Sequence, residues 1–136
     1  MAIGGWIMFF QIDPHNGLAI YDQIVRQVKF AVASGVLRSG EMVPSVRELA
    51  RELAINPNTI ARAYRQLQDD RVLEPVRGTG LEIATGAAQR CRQERLSLIR
   101  ARVRQVLVEA RQSGLDADEV QKLVDHELSL VSREGA

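Results

Sequence analysis

Asn58, Arg62 and Arg65 fall on one side of any helix drawn from Pro57 through Leu67, with Thr59 and Gln66 on its flank. These side chains can do recognition chemistry on a nucleic acid. Arginine forks onto guanine, asparagine or glutamine forks onto adenine, and any cation holds a phosphate. Asn58 and Arg62 stand nearest the helix start and are the expected base contacts. Ile60, Ala63, Tyr64 and Leu67 occupy the opposite, apolar side. Tyr64 belongs at the edge of a core, from which its hydroxyl can still reach a phosphate. A polar side on an amphipathic helix is most often only a solvated face, so these residues need a context before they mean anything.

The context is the helix that must stand before this one. Asn56 can cap free backbone N–H groups, and Pro57 suits the first helical position, where its missing N–H costs nothing. Some ten residues earlier, Ser45 and Glu48 have the spacing of a capping box. Two capped helices this close form a helix-turn-helix, whose second helix enters the DNA major groove. In that geometry the start of the first helix crosses the DNA backbone. Ser45 and Arg47 are then expected at phosphates, Ser45 as a cap in either case.

Around this pair the chain supplies a third helix and a hairpin. Ala19 to Ser34 is amphipathic, with Ile20, Ile24, Val28 and Ala31 on one face, and Gly35 is its stop. Gly40 marks the turn before the helix-turn-helix. Val72–Val76 and Leu81–Ala84 read as short strands about the Gly78-Thr79-Gly80 turn. Three helices and a hairpin make a winged helix-turn-helix.

With these residues in view, the chain resembles the GntR family of bacterial regulators, in particular its short YtrA-type branch. The resemblance runs from Ile20-Tyr21-Asp22-Gln23-Ile24 through Ser34-Gly35-Val36-Leu37 and Val43-Pro44-Ser45-Val46-Arg47-Glu48-Leu49-Ala50. It is strongest at Asn56-Pro57-Asn58-Thr59-Ile60-Ala61-Arg62-Ala63-Tyr64 and ends at the glycine turn. It implies a wing tip at Arg77 and Gly78 that contacts DNA. Only Arg77 remains of the basic residues usual there, and Glu82 stands where the family has an apolar residue. Pro57 and Ala61 replace arginines that read bases in many relatives, so those contacts do not carry over. The resemblance also implies a repressor, often of a transporter operon.

The 136 residues suffice for one compact domain and an appendage, and 46% hydrophobic content supports a core. Net charge is only +1, which argues against a non-specific DNA coater and fits a reader with few, placed cations. The domain is expected over residues 10–85 and the appendage over 86–136. In the appendage Leu96, Ile99, Val103, Val106 and Ala110 repeat at spacings of three and four. Gly114 breaks that helix, and Asp116 or Asp118 caps a second one carrying Val120, Leu123, Val124, Leu128 and Val131. Two such helices cannot bury both stripes unaided. Leu96, Ile99, Val103, Val106, Leu123 and Leu128 are the expected contacts of a homodimer, which suits an inverted-repeat operator. The other arrangement is a hairpin folded back on its own winged helix. The fold class is therefore mostly α with a small β-hairpin, a winged helix-turn-helix plus a C-terminal α-helical hairpin.

Arg90, Arg92, Arg95, Arg100, Arg102 and Arg104 crowd the first of these helices, as a solvated face or, for the early ones, as phosphate contacts. His15 and His126 have no partner at metal spacing, and neither a nucleophile elbow nor a phosphate loop is present, so no metal, cofactor or catalysis is expected. An effector would have to sit between helices or at the dimer interface, and the sequence names none. A single cysteine, Cys91, fits a reducing cytoplasm, and no apolar run is long enough to span a bilayer. The residues before Phe10 fit no element, and Met8 is the expected native start. The rival function is a winged-helix protein-interaction module that never touches DNA.

Overall fold

The structure, a computed structural model, describes Trp6 and residues 9–134. Its elements are α1 (Ile20–Ala33), α2 (Val46–Leu53), α3 (Pro57–Asp69), β1 (Leu73–Val76), β2 (Gly80–Ile83), α4 (Ala87–Gln112) and α5 (Ala117–Glu134). The chain divides into two compact units, Met1–Glu94 and Arg95–Ala136, and the division falls inside α4.

In the first unit α3 packs against both α1 and α2. The apolar stripes foreseen in the sequence meet here. Ile24 and Val28 of α1, Leu49 of α2, and Ile60, Ala63 and Leu67 of α3 are sealed from solvent. The strands pair antiparallel in the register Leu73–Ile83 and Val76–Gly80, and Val72, Leu73, Ile83 and Ala84 close the core beneath α3. Ala87 and Cys91 of α4 are buried in the same core. Burial pushes the Cys91 thiol up, away from the reactive thiolate.

Each helix ends as its sequence allows. Ser45 caps α2 with a complete capping box, its Oγ accepting from Glu48 N while Glu48 Oε1 accepts from Ser45 N, each at 3.1 Å. Asn56 Oδ1 caps α3, accepting from Asn58 N at 2.8 Å. The turn between α2 and α3 bends at Ala54, which takes a left-handed φ of 55°. Arg71 does the same after α3, at φ 60°, and Val72 N then reaches back to Leu67 O. Glycine usually fills such positions, so composition gave no sign of either bend.

Three features depart from the sequence reading. Residues 40–43 are not only a turn: Gly40 N donates to Ile83 O, Ile83 N to Glu41 O, and Val43 N to Leu81 O, so this segment lines the free edge of β2. Trp6, expected to fit no element, is buried and packs with Phe9 and Phe10 at centroid distances of 5.6 and 6.3 Å. The placement of a start at Met8 lies outside the described residues. Third, α1 grips the chain before it with two glutamines one helical turn apart. Gln23, buried, donates to Asp13 O at 2.7 Å and accepts from Asp13 N at 2.9 Å, and Gln27 makes the same pair of bonds with Gln11.

In the second unit Gly114, at φ 89°, ends α4, and Asp116 rather than Asp118 caps α5, accepting from Glu119 N at 2.8 Å. The unit buries almost nothing: α5 has no buried residue, and the buried residues of α4 are Ala87 and Cys91, in its first turns.

The Ser45 backbone bond, reinforced by the Ser45 side chain, holds the Glu48 carboxyl below its ordinary 4.5. A folded-state pKa that is depressed means stability present above 4.5 and lost as pH falls through the lower folded value. Amide exchange in the first turn of α2, corrected for intrinsic rates, should therefore quicken on acidification below 4.5 in the wild type. In Glu48→Gln, which keeps an acceptor but not the titration, that pH dependence should vanish; its persistence would place the acid-sensitive group elsewhere.

Candidate nucleic-acid interface

The exposed side of α3 carries Asn58, Arg62 and Arg65, and Thr59 is half-buried on the flank. Among the described residues, the side chains of Asn58 and Arg65 have no hydrogen-bond or ion-pair partner within the chain. Donors left open in this way are free to bond another molecule. Gln66 is diverted, its amide donating to Asp70 at 3.1 Å.

Tyr64 is corrected by the structure. It is buried, and its hydroxyl donates to Pro44 O at 2.7 Å. Burial also pushes the phenol well above its ordinary pKa, so it stays a neutral donor. A hydroxyl committed inside the core cannot also reach a phosphate. Its part is positional. Pro44 immediately precedes the Ser45 cap, so the bond fixes the start of α2 against α3. Ser45 and Arg47 are both exposed at that start. The free N–H groups of the first turn of α2 point the same way as any helix N-terminus that receives phosphate.

The sequence reading missed one partner. The Arg62 guanidinium lies over the ring of Tyr21, 3.7 Å from its centroid. Tyr21 was visible only as part of a motif in α1, and nothing in the spacing of residues 21 and 62 could join them before the helices were packed.

Arg90 is also corrected. Its guanidinium donates to the carbonyls of Arg71 and Thr85, closing the turn after α3, so it is no free phosphate contact. Lys29 is likewise consumed, at 2.8 Å from Asp70 and 3.0 Å from Glu94. Burial alone would lower its pKa, but the bonds to those two carboxylates leave it raised above 10.5.

Arg77 and Gly78 stand exposed at the tip of the hairpin, where Gly78 takes φ 77°. The strands behind them are acidic. Glu74 and Glu82 are direct cross-strand partners. Like charges opposite one another weaken a hairpin and repel a polyanion. Among the described residues no three His, Cys, Asp or Glu gather as a metal site, and no helix is long and apolar enough to cross a membrane.

Residues 20–83 match the family described as bacterial regulatory proteins, gntR family. The HTH-type transcriptional repressor YtrA of Bacillus subtilis (strain 168) is 32% identical over 114 residues, which cover 84% of this chain and 88% of that relative. A crystal structure of a transcriptional regulator from Oenococcus oeni superposes with TM-score 0.76 at 32% identity, covering 88% of this chain and 99% of that one. A GntR family transcriptional regulator from Listeria monocytogenes gives TM-score 0.64 at 30% identity, over 82% and 96% of the two chains.

The acidic pair yields a prediction. Glu82→Thr should raise the melting temperature by about 1–5 °C through relief of roughly 0.2–1 kcal/mol of cross-strand repulsion. It should also tighten binding to operator and random DNA alike at low salt. An unchanged melting curve would mean that the two carboxylates do not meet, and unchanged affinity that the wing stands clear of DNA.

Proposed function

From the premise that this chain belongs to the GntR family of bacterial regulatory proteins, we propose that it represses transcription as a homodimer on an inverted-repeat operator, each α3 reading one half-site. That it is a helix-turn-helix DNA-binding regulator, of the YtrA type and not an enzyme, follows from its family and relatives. The interaction-module reading is thereby set aside. The observation that carries the rest is the split of α3 into a sealed apolar side and an exposed side of Asn58, Arg62 and Arg65.

In this reading Asn58 and Arg62 contact base edges, with Thr59 and Arg65 beside them. Ser45 and Arg47 hold phosphate, and Arg77 and Gly78 supply a weak wing contact. The functional division is residues 10–85 for DNA and 86–136 for dimerisation. The second half rests on exposed apolar surface. Leu96, Ile99, Val103, Val106, Leu123 and Leu128 are 45% to 61% exposed. Burying six such side chains is worth on the order of 5 kcal/mol per chain, which a second copy would supply. Work inside the bacterial cytoplasm, control of a transporter operon, and an effector held between helices complete the proposal; no residue specifies the effector.

Selection of duplexes from a random library, followed by titration at two salt concentrations, tests the DNA half. Arg62→Ala should lose operator preference by about 1–3 kcal/mol while random DNA binds as before. Arg47→Ala should weaken all sequences alike and flatten the salt dependence. Equal losses on both kinds of DNA for Arg62→Ala would make it a phosphate contact, and failure to select any sequence would remove the operator.

Sedimentation tests the dimer half. Val103→Asp with Val106→Asp would place unpaired charge in a contact that must be dry. The double variant should sediment as a monomer with its winged unit folded. Operator affinity should fall by about 100-fold or more, because the second half-site is no longer reached intramolecularly. A persisting dimer would move the interface off this stripe.

A further inference from the structure

Tyr21 lies in the first turn of α1, half-buried, with the Arg62 guanidinium over its ring at 3.7 Å from the centroid. Such a contact draws on the negative face of the ring. It engages the flat side of a guanidinium and leaves the N–H edge available for a fork onto an acceptor pair. No carboxylate among the described residues pairs with Arg62. Asp22, next to Tyr21 in the chain, is paired instead with Arg26 at 3.3 Å. The ring therefore holds the arginine without occupying its donors, which an acid would have done. Arg65, one turn further along α3, has no such support.

We propose that Tyr21 is a positioning residue for DNA reading: its ring fixes the Arg62 guanidinium before DNA arrives and so sharpens discrimination at the base that Arg62 contacts. This rests on the assignment of Arg62 to a base edge made above. A long side chain left free must lose its rotamer freedom on binding, and that loss is subtracted from affinity. With the guanidinium already held, the loss is taken during folding and the bound geometry is selected in advance. The effect should appear on the correct sequence and not on DNA in general, because a random duplex presents an acceptor pair at the held position only by chance.

The experiment compares the operator selected by the wild type with a scrambled duplex, for Tyr21→Phe, Tyr21→Leu, Arg62→Ala and the Tyr21→Leu/Arg62→Ala double variant. Tyr21→Phe, which keeps the ring, should match the wild type. Tyr21→Leu should lose about 2- to 5-fold on the operator and nothing on the scrambled duplex. In the Arg62→Ala background Tyr21→Leu should have no further effect. A Tyr21→Phe loss as large as that of Tyr21→Leu would make the hydroxyl the working part and overturn the proposal. So would an undiminished effect in the Arg62→Ala background, since Tyr21 would then act alone. If Arg62→Ala keeps full operator preference, the base-reading assignment fails and takes this proposal with it. If Arg62→Ala loses preference and Tyr21→Leu does not, the proposal fails alone. Should Tyr21→Leu not fold, the free wild-type protein still decides. Its Arg62 Cδ protons should be shifted upfield by the ring current relative to those of Arg65, and equal shifts would overturn the stack.

Discussion

One buried hydrogen bond, from Tyr64 Oη to Pro44 O, fixes the relation on which the exposed polar side of α2 and α3 depends. It joins the core side of α3 to the residue before the α2 cap. A helix-turn-helix must present two helix starts at a set separation, one to base edges and one to phosphate. The turn at Ala54 sets how the chain passes from one helix to the other, but it lies at the far end of α2 and does not by itself hold the near end. Apolar packing in the core that Leu49, Ile60 and Leu67 share is non-directional and tolerates sliding. The phenol adds direction. It is buried and neutral, and the carbonyl it serves is buried with it, so a shift of α2 would leave two polar groups unpaired in the core. The same segment runs back through Val43 to Leu81 of the wing, so α2, α3 and β2 are tied through residues 43 and 44.

The charge distribution has the same economy. Of the cations near α3, Lys29 and Arg90 are spent inside the unit, on Asp70, Glu94 and two carbonyls, where they hold the end of α3 to α1 and to the first turns of α4. Glu74 and Glu82 add negative charge to the wing. What remains exposed on α2 and α3 is a short set of arginines. A net charge of +1 is thus the expected result of a reader whose few cations are placed rather than accumulated. With so little net charge, affinity for a polyanion has to come from where the cations stand rather than from how many there are.

The elements of this fold were legible in the sequence because their signals are local. Ser45 with Glu48, Asn56 with Pro57, and the 3.6-residue stripes of α1 and α3 each report on neighbours within one or two turns. What stayed hidden was of two kinds. Ala54 and Arg71 hold left-handed positions where composition gives no hint, each followed by an apolar residue turned inward, Ile55 half-buried and Val72 buried. The rest were contacts between residues far apart in the chain. Tyr64 with Pro44 and Tyr21 with Arg62 exist only after the helices pack. Both concern tyrosines, whose apolar ring and polar tip make either role consistent with the sequence. The polar face of α3 was therefore found from spacing, while what holds that face in place was not.

The second unit poses the opposite physical problem. Its two helices are well capped, by Asp116 and by the Gly114 break, yet they bury nothing of their own. Capping contributes about 1 kcal/mol per helix end and cannot offset a stripe of half-exposed leucine, isoleucine and valine. Helices of 26 and 18 residues with an apolar side are marginal alone in water, since most helical stability in proteins comes from packing that side. The local signals are thus satisfied while the tertiary one is missing. A sequence that specifies helix starts and stops this firmly leaves the stripe between them as apolar surface that the two helices do not cover themselves. Because α4 begins among the core residues Ala87 and Cys91 and runs unbroken into that stripe, one helix is sealed at its start and carries exposed leucine, isoleucine and valine further along.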